Sequence, residues 1–311
     1  MLLNAQNTTD HSTHLMTYLE KRFLDRLLVK FHFDKFAKKQ KLGKNMGKSV
    51  TWTRWANLSE SVVALTEGES PDGVSLSSAQ VTAVIAGYGQ YATTTDFLDL
   101  VAINDQMKDM VDLLGYAAGK SLDALVRNTL DAGGTVAYAD AANNDSVAKV
   151  QAGTDTATTA DFRAFLKTLH AADVEPFDDG LLKGIIHPIM EFDLLGETSA
   201  DSVLQISANT SASQVKKGFI GNILGVDLYR STHIRTEDAP NGNVYKNIIV
   251  GKNSYGIVDL ESAGLEMIIK QLGSGGTEDP LNQRATVGYK VYHANAILDA
   301  DRIIVYKVYG A

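Results

Sequence analysis

The feature that most constrains this fold is a helical period sustained from Asn104 to Leu130. Met107, Met110/Val111, Leu114, Ala117/Ala118, Leu122, Leu125/Val126 and Leu130 recur at the spacing that lines one face of a helix. Asn104 stands where an N-cap belongs, with Asp105 and Asp109 near the positive end of the helix dipole, and Gly133-Gly134 closes the run. Such a stretch makes a rod of about 40 Å. The rest of the chain must pack along it or project from it.

A second constraint lies just upstream. Ser49–Trp55 is rich in β-branched and aromatic residues and reads as a strand, and Gln80–Thr95 is another extended run. Between them lies Ala56–Ala79, with Ser70-Pro71-Asp72-Gly73 as a turn signal. This excursion is too long for a tight hairpin and unusually long for an idle loop. A two-stranded ribbon alone buries too little surface to be stable in water. The expectation is therefore a projecting two-stranded arm whose tip needs a partner. Alternation places Trp52 and Trp55 on opposite faces of the strand, which favours core or interface packing over stacking on bases.

Around these elements the chain mixes helices and strands. Leu15, Leu19, Phe23, Leu27 and Phe31 form the stripe of an amphipathic helix, and Lys35–Lys48 then loses the period and reads as an irregular strap. Thr135–Thr158 is small and polar and reads as a surface loop, Asp161–Ala171 as a short helix, and Leu181–His187 as a buried strand. His187-Pro188 opens a second short helix, and Ser199–Gln214 reads as a mobile Ser/Ala/Thr-rich stretch. Further strands are expected at Ile223–Ser231, Asn247–Gly251, Leu265–Lys270, Thr286–Ala294 and Arg302–Tyr309, with a glycine joint at Gly273–Gly276. Without a regular β-α-β alternation the class is α+β.

Composition enters through charge. The overall net charge of −8 hides a division. Eleven Lys/Arg face two acids between Lys21 and Arg54, whereas Trp55–Met107 holds no Lys or Arg and seven acids. A basic arm on an acidic body points to a polyanion or to the acidic surface of another copy. We therefore expect Lys30, Lys35, Lys38, Lys39, Lys41 and Lys44 to face DNA or a neighbour, and Glu60, Glu67, Glu69 and Asp72 at the loop tip to meet basic surface. Zero cysteines exclude a disulfide framework and thiol chemistry. No apolar run has the length of a membrane span, and Met1–His14 carries no secretory pattern.

Catalytic patterns are missing from the sequence. Its seven histidines are scattered without a zinc-binding helix spacing, and His187-Pro188 is followed by Glu191 in the wrong order for a metalloprotease. Gly87 and Gly89 lie inside a strand with no helix following, which suits a bend or a close backbone approach rather than a dinucleotide. Asp96/Asp99 and Asp299/Asp301 read as caps and turns. No cofactor and no metal are expected.

The order of segments then resembles a known family. Thr51-Trp52-Thr53-Arg54-Trp55, Leu65-Thr66-Glu67-Gly68, Pro71-Asp72-Gly73, Gln90-Tyr91, Asp96–Leu100 and Ile185-Ile186-His187-Pro188 resemble the N-four-like family of tailed-phage major capsid proteins. The C-terminal half, with Leu224-Gly225-Val226, Ile249-Val250-Gly251 and Pro280-Leu281-Asn282, is similar to the broader HK-97-like capsid fold. The resemblance implies an N-terminal arm at 1–47, an extended loop at 48–95, and a peripheral domain with a spine helix at 96–158. It further implies an axial domain at 159–280 and a return to the peripheral domain at 281–311. It implies a non-enzymatic protein that assembles in the host cytoplasm, through pentamers and hexamers, into the virion capsid around double-stranded DNA. Separate scaffolding, portal and decoration proteins are possible partners, and no membrane is involved. Some relatives join subunits by a Lys–Asn isopeptide bond from the extended loop; the absence of lysine from Trp55–Met107 argues against it here. An encapsulin-like cellular compartment is the alternative.

Overall fold

The computed structural model describes residues 18–27, 32–101 (except 59, 61, 63, 65, 66, 69, 71 and 72), 106–197 (except 152), 222–260 (except 241), 264–274 and 279–310. In chain order these form α1 (18–27), β1 (Lys38–Leu42), β2 (Ser49–Trp55), β3 (Ser78–Val84), β4 (Ala86–Thr95), α2 (Asp96–Val101) and α3 (Gln106–Gly133). There follow β5 (Thr135–Tyr138), α4 (Thr159–Ala171), β6 (Leu182–Ile186), α5 (Pro188–Gly196), β7 (Asn222–Ile223), β8 (Val226–Arg230) and β9 (Thr236–Ala239). The last strands are β10 (Gly242–Val250), β11 (Tyr255–Leu260), β12 (Glu266–Lys270), β13 (Arg284–Ile297) and β14 (Ile303–Tyr309).

The predicted rod is α3, and it joins two sheets. Its first half buries Val111, Leu114, Ala118 and Leu122 against α1 and against Val287, Tyr289 and Val291 of β13. Its second half buries Val126 and Leu130 among Ile185, Ile248, Val250, Tyr255 and Ile303. The N-cap position Asn104 lies outside the described residues. At the other end the helix stops at Gly133, and the Gly134 N–H donates to the Leu130 carbonyl at 3.0 Å.

In the five-stranded sheet β4 runs antiparallel to β13 over residues 284–293. On the other side of β13 lie β12, over 286–290, and β11, over 294–297; β1 pairs parallel with β11. The seven-stranded sheet has the order β5-β14-β10-β6-β8-β7, with β9 on the far part of β10. The helices α4 and α5 cover this sheet, with Phe162, Leu169, Met190 and Leu194 in the core. β2 and β3 form a separate hairpin.

Three segments differ from the sequence reading. Lys38–Leu42, expected as part of an irregular strap, is a strand, because pairing with β11 supplies hydrogen-bond partners that local pattern does not reveal. Thr135–Thr158 is not merely a surface loop: β5 joins β14, and Asn144 and Asp155 are buried and bonded to each other at 2.7 Å. Gln80–Thr95 breaks at Ile85 into strands serving different sheets. Sheet membership also cuts across the expected boundaries at 159 and 281. β5 lies in the seven-stranded sheet and β11 and β12 lie in the five-stranded one. β14 pairs with β10 and β5, where its consecutive buried residues Ile303–Tyr306 find cover on both faces.

Candidate assembly surfaces

The hairpin is anchored at its base, and its described residues beyond the base are exposed. Val50, Trp52, Ala83 and Ile85 pack on Val258 and Ala294 of the five-stranded sheet. The Trp52 ring lies against Gly256, where a Cβ would come within 2.8 Å of it, so the close approach requires glycine. Arg54 Nη1 meets Asp299 Oδ1 at 2.7 Å. Past this anchor Trp55 is 60% exposed and Val62 85%, and Leu58, Val74 and Leu76 are exposed as well. Trp52 is thus the core residue and Trp55 the outward one, as alternation requires. Glu60 and Glu67 stand exposed on the excursion; Glu69 and Asp72 lie outside the described residues.

On the face of β13 away from α3, the strands β4, β12 and β13 form an open groove of about 890 Å³. Tyr88, Tyr91 and Tyr292 line it together with Lys270, Lys290 and Arg284. The Lys290 ammonium sits 4.8 Å from the Tyr292 ring centroid, and Arg284 lies 4.0 Å from Asp279. Gly89 belongs to the same strip. A Cβ there would fall 2.6 Å from the Tyr289 carbonyl oxygen, which is the close backbone approach the sequence suggested.

The basic segment has two parts. The described portion of α1 is docked rather than free: Leu19, Phe23 and Leu27 are buried on α3, and Arg22 grips Asp112 with Nε at 2.6 Å and Nη2 at 2.5 Å. Lys35, Lys38, Lys39, Lys41 and Lys44 are all exposed along β1 and its flanks, Lys39 pairing with Asp34. Strand alternation sends Lys38 to one face and Lys39 and Lys41 to the other. Lys30 lies outside the described residues.

His187, Asp96 and Asp299 act as caps and turn residues. The His187 Nδ1 accepts from the Ile189 N–H at 3.3 Å and so caps α5, and burial pushes its imidazole below the usual histidine range. Asp299 accepts from the Asp301 N–H and from Arg302 Nε, and Asp96 from the Phe97 N–H. Among the described residues no group of three His, Asp or Glu side chains could hold a metal, and no helix is long and apolar enough to cross a membrane.

One polar residue was missed. Asp123, fully buried on α3, accepts from the backbone N–H groups of His32 and Phe33 at 2.8 and 2.9 Å, fixing where the basic segment meets the body. Its only signal was a carboxylate set beside Leu122 in the apolar stripe.

Comparison with known proteins gives this geometry its class. The family model described as phage capsid protein matches residues 80–308. The fold is shared with the capsid asymmetric unit of cyanophage Pam1 (TM-score 0.69, 13% identity, 92% of this chain and 93% of that chain). It is shared as well with the capsid of Ralstonia phage GP4 (TM-score 0.67, 14% identity, 91% and 92%) and of cyanophage P-SCSP1u (0.65, 15%, 90% and 89%). No curated protein sequence matches. With the family model spanning well over half its length, the chain belongs to the phage capsid protein family. It is a major capsid shell protein of the α+β, HK-97-like fold, and the encapsulin alternative is not favoured.

Proposed function

We propose that copies of this chain tile through pentamers and hexamers into the icosahedral head that encloses double-stranded DNA, assembling in the host cytoplasm. In this reading the five-stranded sheet with α3 is the peripheral domain, the seven-stranded sheet the axial domain, and β2–β3 with its excursion the extended loop. The protein acts as a wall rather than as an enzyme. The observation that carries the reading is the excursion itself: exposed Trp55, Leu58, Val62, Val74 and Leu76 on a ribbon that, among the described residues, is anchored only at its base. A ribbon with so many unburied apolar side chains is completed by a neighbour.

Charge supplies the direction. The lysine-free tip, with Glu60 and Glu67 exposed, complements a basic surface on an adjacent copy, and the groove bearing Lys270, Lys290 and Arg284 offers one. Lys35, Lys38, Lys39, Lys41 and Lys44 contact packaged phosphates by sequence-independent attraction, or a neighbouring acidic surface. Scaffolding, portal and decoration functions fall to separate proteins.

Negative-stain microscopy of the purified chain tests the reading: closed shells are expected, with yield falling as salt rises. Reversing charge at Glu67 and Glu69 should lower shell yield while leaving the unfolding midpoint unchanged. A chain that remains single at every concentration and ionic strength overturns it.

A further inference from the structure

Among the described residues, three strands of the five-stranded sheet pair on one side only: β1, β12 and β4. An open edge recruits other strands unless it is short, charged or otherwise blocked. β1 carries Lys38, Lys39 and Lys41, and β12 is five residues long with Glu266 and Lys270 at its ends. β4 has none of these protections. Its ten residues, Ala-Gly-Tyr-Gly-Gln-Tyr-Ala-Thr-Thr-Thr, include no charge and no proline.

The ladder shows which groups are free. The Asp96 N–H donates to the Gln283 carbonyl at 3.0 Å, which sets the phase of the antiparallel pairing with β13. Counting back by twos, Thr94, Ala92, Gln90, Tyr88 and Ala86 exchange bonds with β13. The N–H and C=O groups of Gly87, Gly89, Tyr91 and Thr93 therefore point away from it, and all four residues are exposed.

We propose that this edge pairs with the same edge of a second copy, antiparallel about a two-fold axis, making two five-stranded sheets continuous. A two-fold contact sets each residue against its own surface. An edge without charge meets itself with no like-charge penalty, whereas β1 would set a row of lysines against another. A register centred on Gln90 puts Gly89 opposite Tyr91 and Gly87 opposite Thr93, so each glycine faces a bulkier residue across the seam. The sheet already uses this fit internally, where Tyr91 packs over Gly288 so closely that a Cβ there would lie 2.9 Å away. The inference rests on the reading that copies associate, and adds how one contact is made.

The chain has no cysteine, so single substitutions report the contact directly. In this register Gln90 faces its own copy at a non-hydrogen-bonded position, where Cα atoms lie about 4.5 Å apart, within disulfide reach. Gln90→Cys shells should run mainly as a reducible dimer on a non-reducing denaturing gel, and Lys39→Cys shells as single chains. Adding Tyr91→Pro to Gln90→Cys removes an outward N–H without touching the β13 ladder; it should abolish the dimer and keep the unfolding midpoint. A dimer that survives Tyr91→Pro, or one equally strong from Lys39→Cys, overturns the pairing. A dimer from Tyr88→Cys or Ala92→Cys instead overturns the register. Shells without a dimer from any of the three β4 positions overturn the pairing and leave the shell reading standing. An unsubstituted chain that forms neither shells nor dimers overturns both.

Discussion

The seven-stranded sheet and the β2–β3 hairpin solve the same problem in opposite ways. In the sheet, β6 is buried at every residue, Ile248, Ile249 and Val250 of β10 are fully buried, and helices cover the face that α3 leaves open. In the hairpin only Val50, Trp52 and Ala83 of the two strands are buried. The first region derives its order from its own chain. The second has a regular ladder, down to Thr51 and Thr82 hydroxyls 3.0 Å apart, without the burial that stabilises one in water. Regular hydrogen bonding therefore does not mark self-sufficiency in this molecule; burial does.

The contrast is broken most strongly from the sheet side. Ile249→Ala should cost about 2–5 kcal/mol of subunit stability, the range for emptying a closed core site, read from denaturant unfolding. A loss near zero would mean that this sheet, too, needs neighbours. Next in size is the joint between the regions. Gly256→Val places a branched side chain where the Trp52 ring sits and should cost about 1–3 kcal/mol. It should also shift tryptophan emission to the red, because Trp52 is the buried one of two tryptophans. Smaller again is Arg54→Ala, which frees Asp299 at the hairpin base. The Arg54 side chain is half exposed, so less than about 1 kcal/mol is expected, with faster proteolysis of the excursion as the sharper readout.

How far the sequence revealed each region follows from the same physics. The long helix, the hairpin and the opposite faces of Trp52 and Trp55 were legible because each depends on a local period or alternation. β1, β5 and β11 were not, since a lysine-rich run, a four-residue strand and Tyr255–Leu260 become strands only through partners distant in sequence. The same holds for β14, whose apolar run predicts burial but not in which sheet. Among the surfaces, the acidic tip and the basic strap could be read from composition. The groove could not, because it takes its side chains from β4, β12 and β13 at once. Nor could the role of Asp123, which depends on backbone N–H groups some ninety residues upstream.

The smallest test concerns pH, and it asks how much imperfection the self-sufficient region tolerates. Asp193 on α5 has a carboxylate oxygen, Oδ2, that is buried without a hydrogen-bond partner among the described residues, and burial pushes its pKa above the ordinary 3.8. Between 3.8 and that raised value the folded chain holds a proton that the unfolded chain has released. Stability must fall as pH rises from 3.8 through the raised value, and the penalty persists at neutral pH. Asp193→Asn keeps the shape and cannot ionise, so it should be the more stable protein at pH 7, with the difference vanishing once both chains are in acid. Asp161 is the internal control. Burial raises its pKa too, but it accepts from Thr158 and from the Tyr306 hydroxyl at 2.8 and 2.9 Å, bonds that an amide replaces poorly. Asp161→Asn should therefore bring no gain at neutral pH. Thermal unfolding of the two variants across pH 3–8 separates the cases. If Asp193→Asn loses stability at pH 7, the carboxylate has a partner outside the described residues, and the claim that burial alone raises its pKa fails.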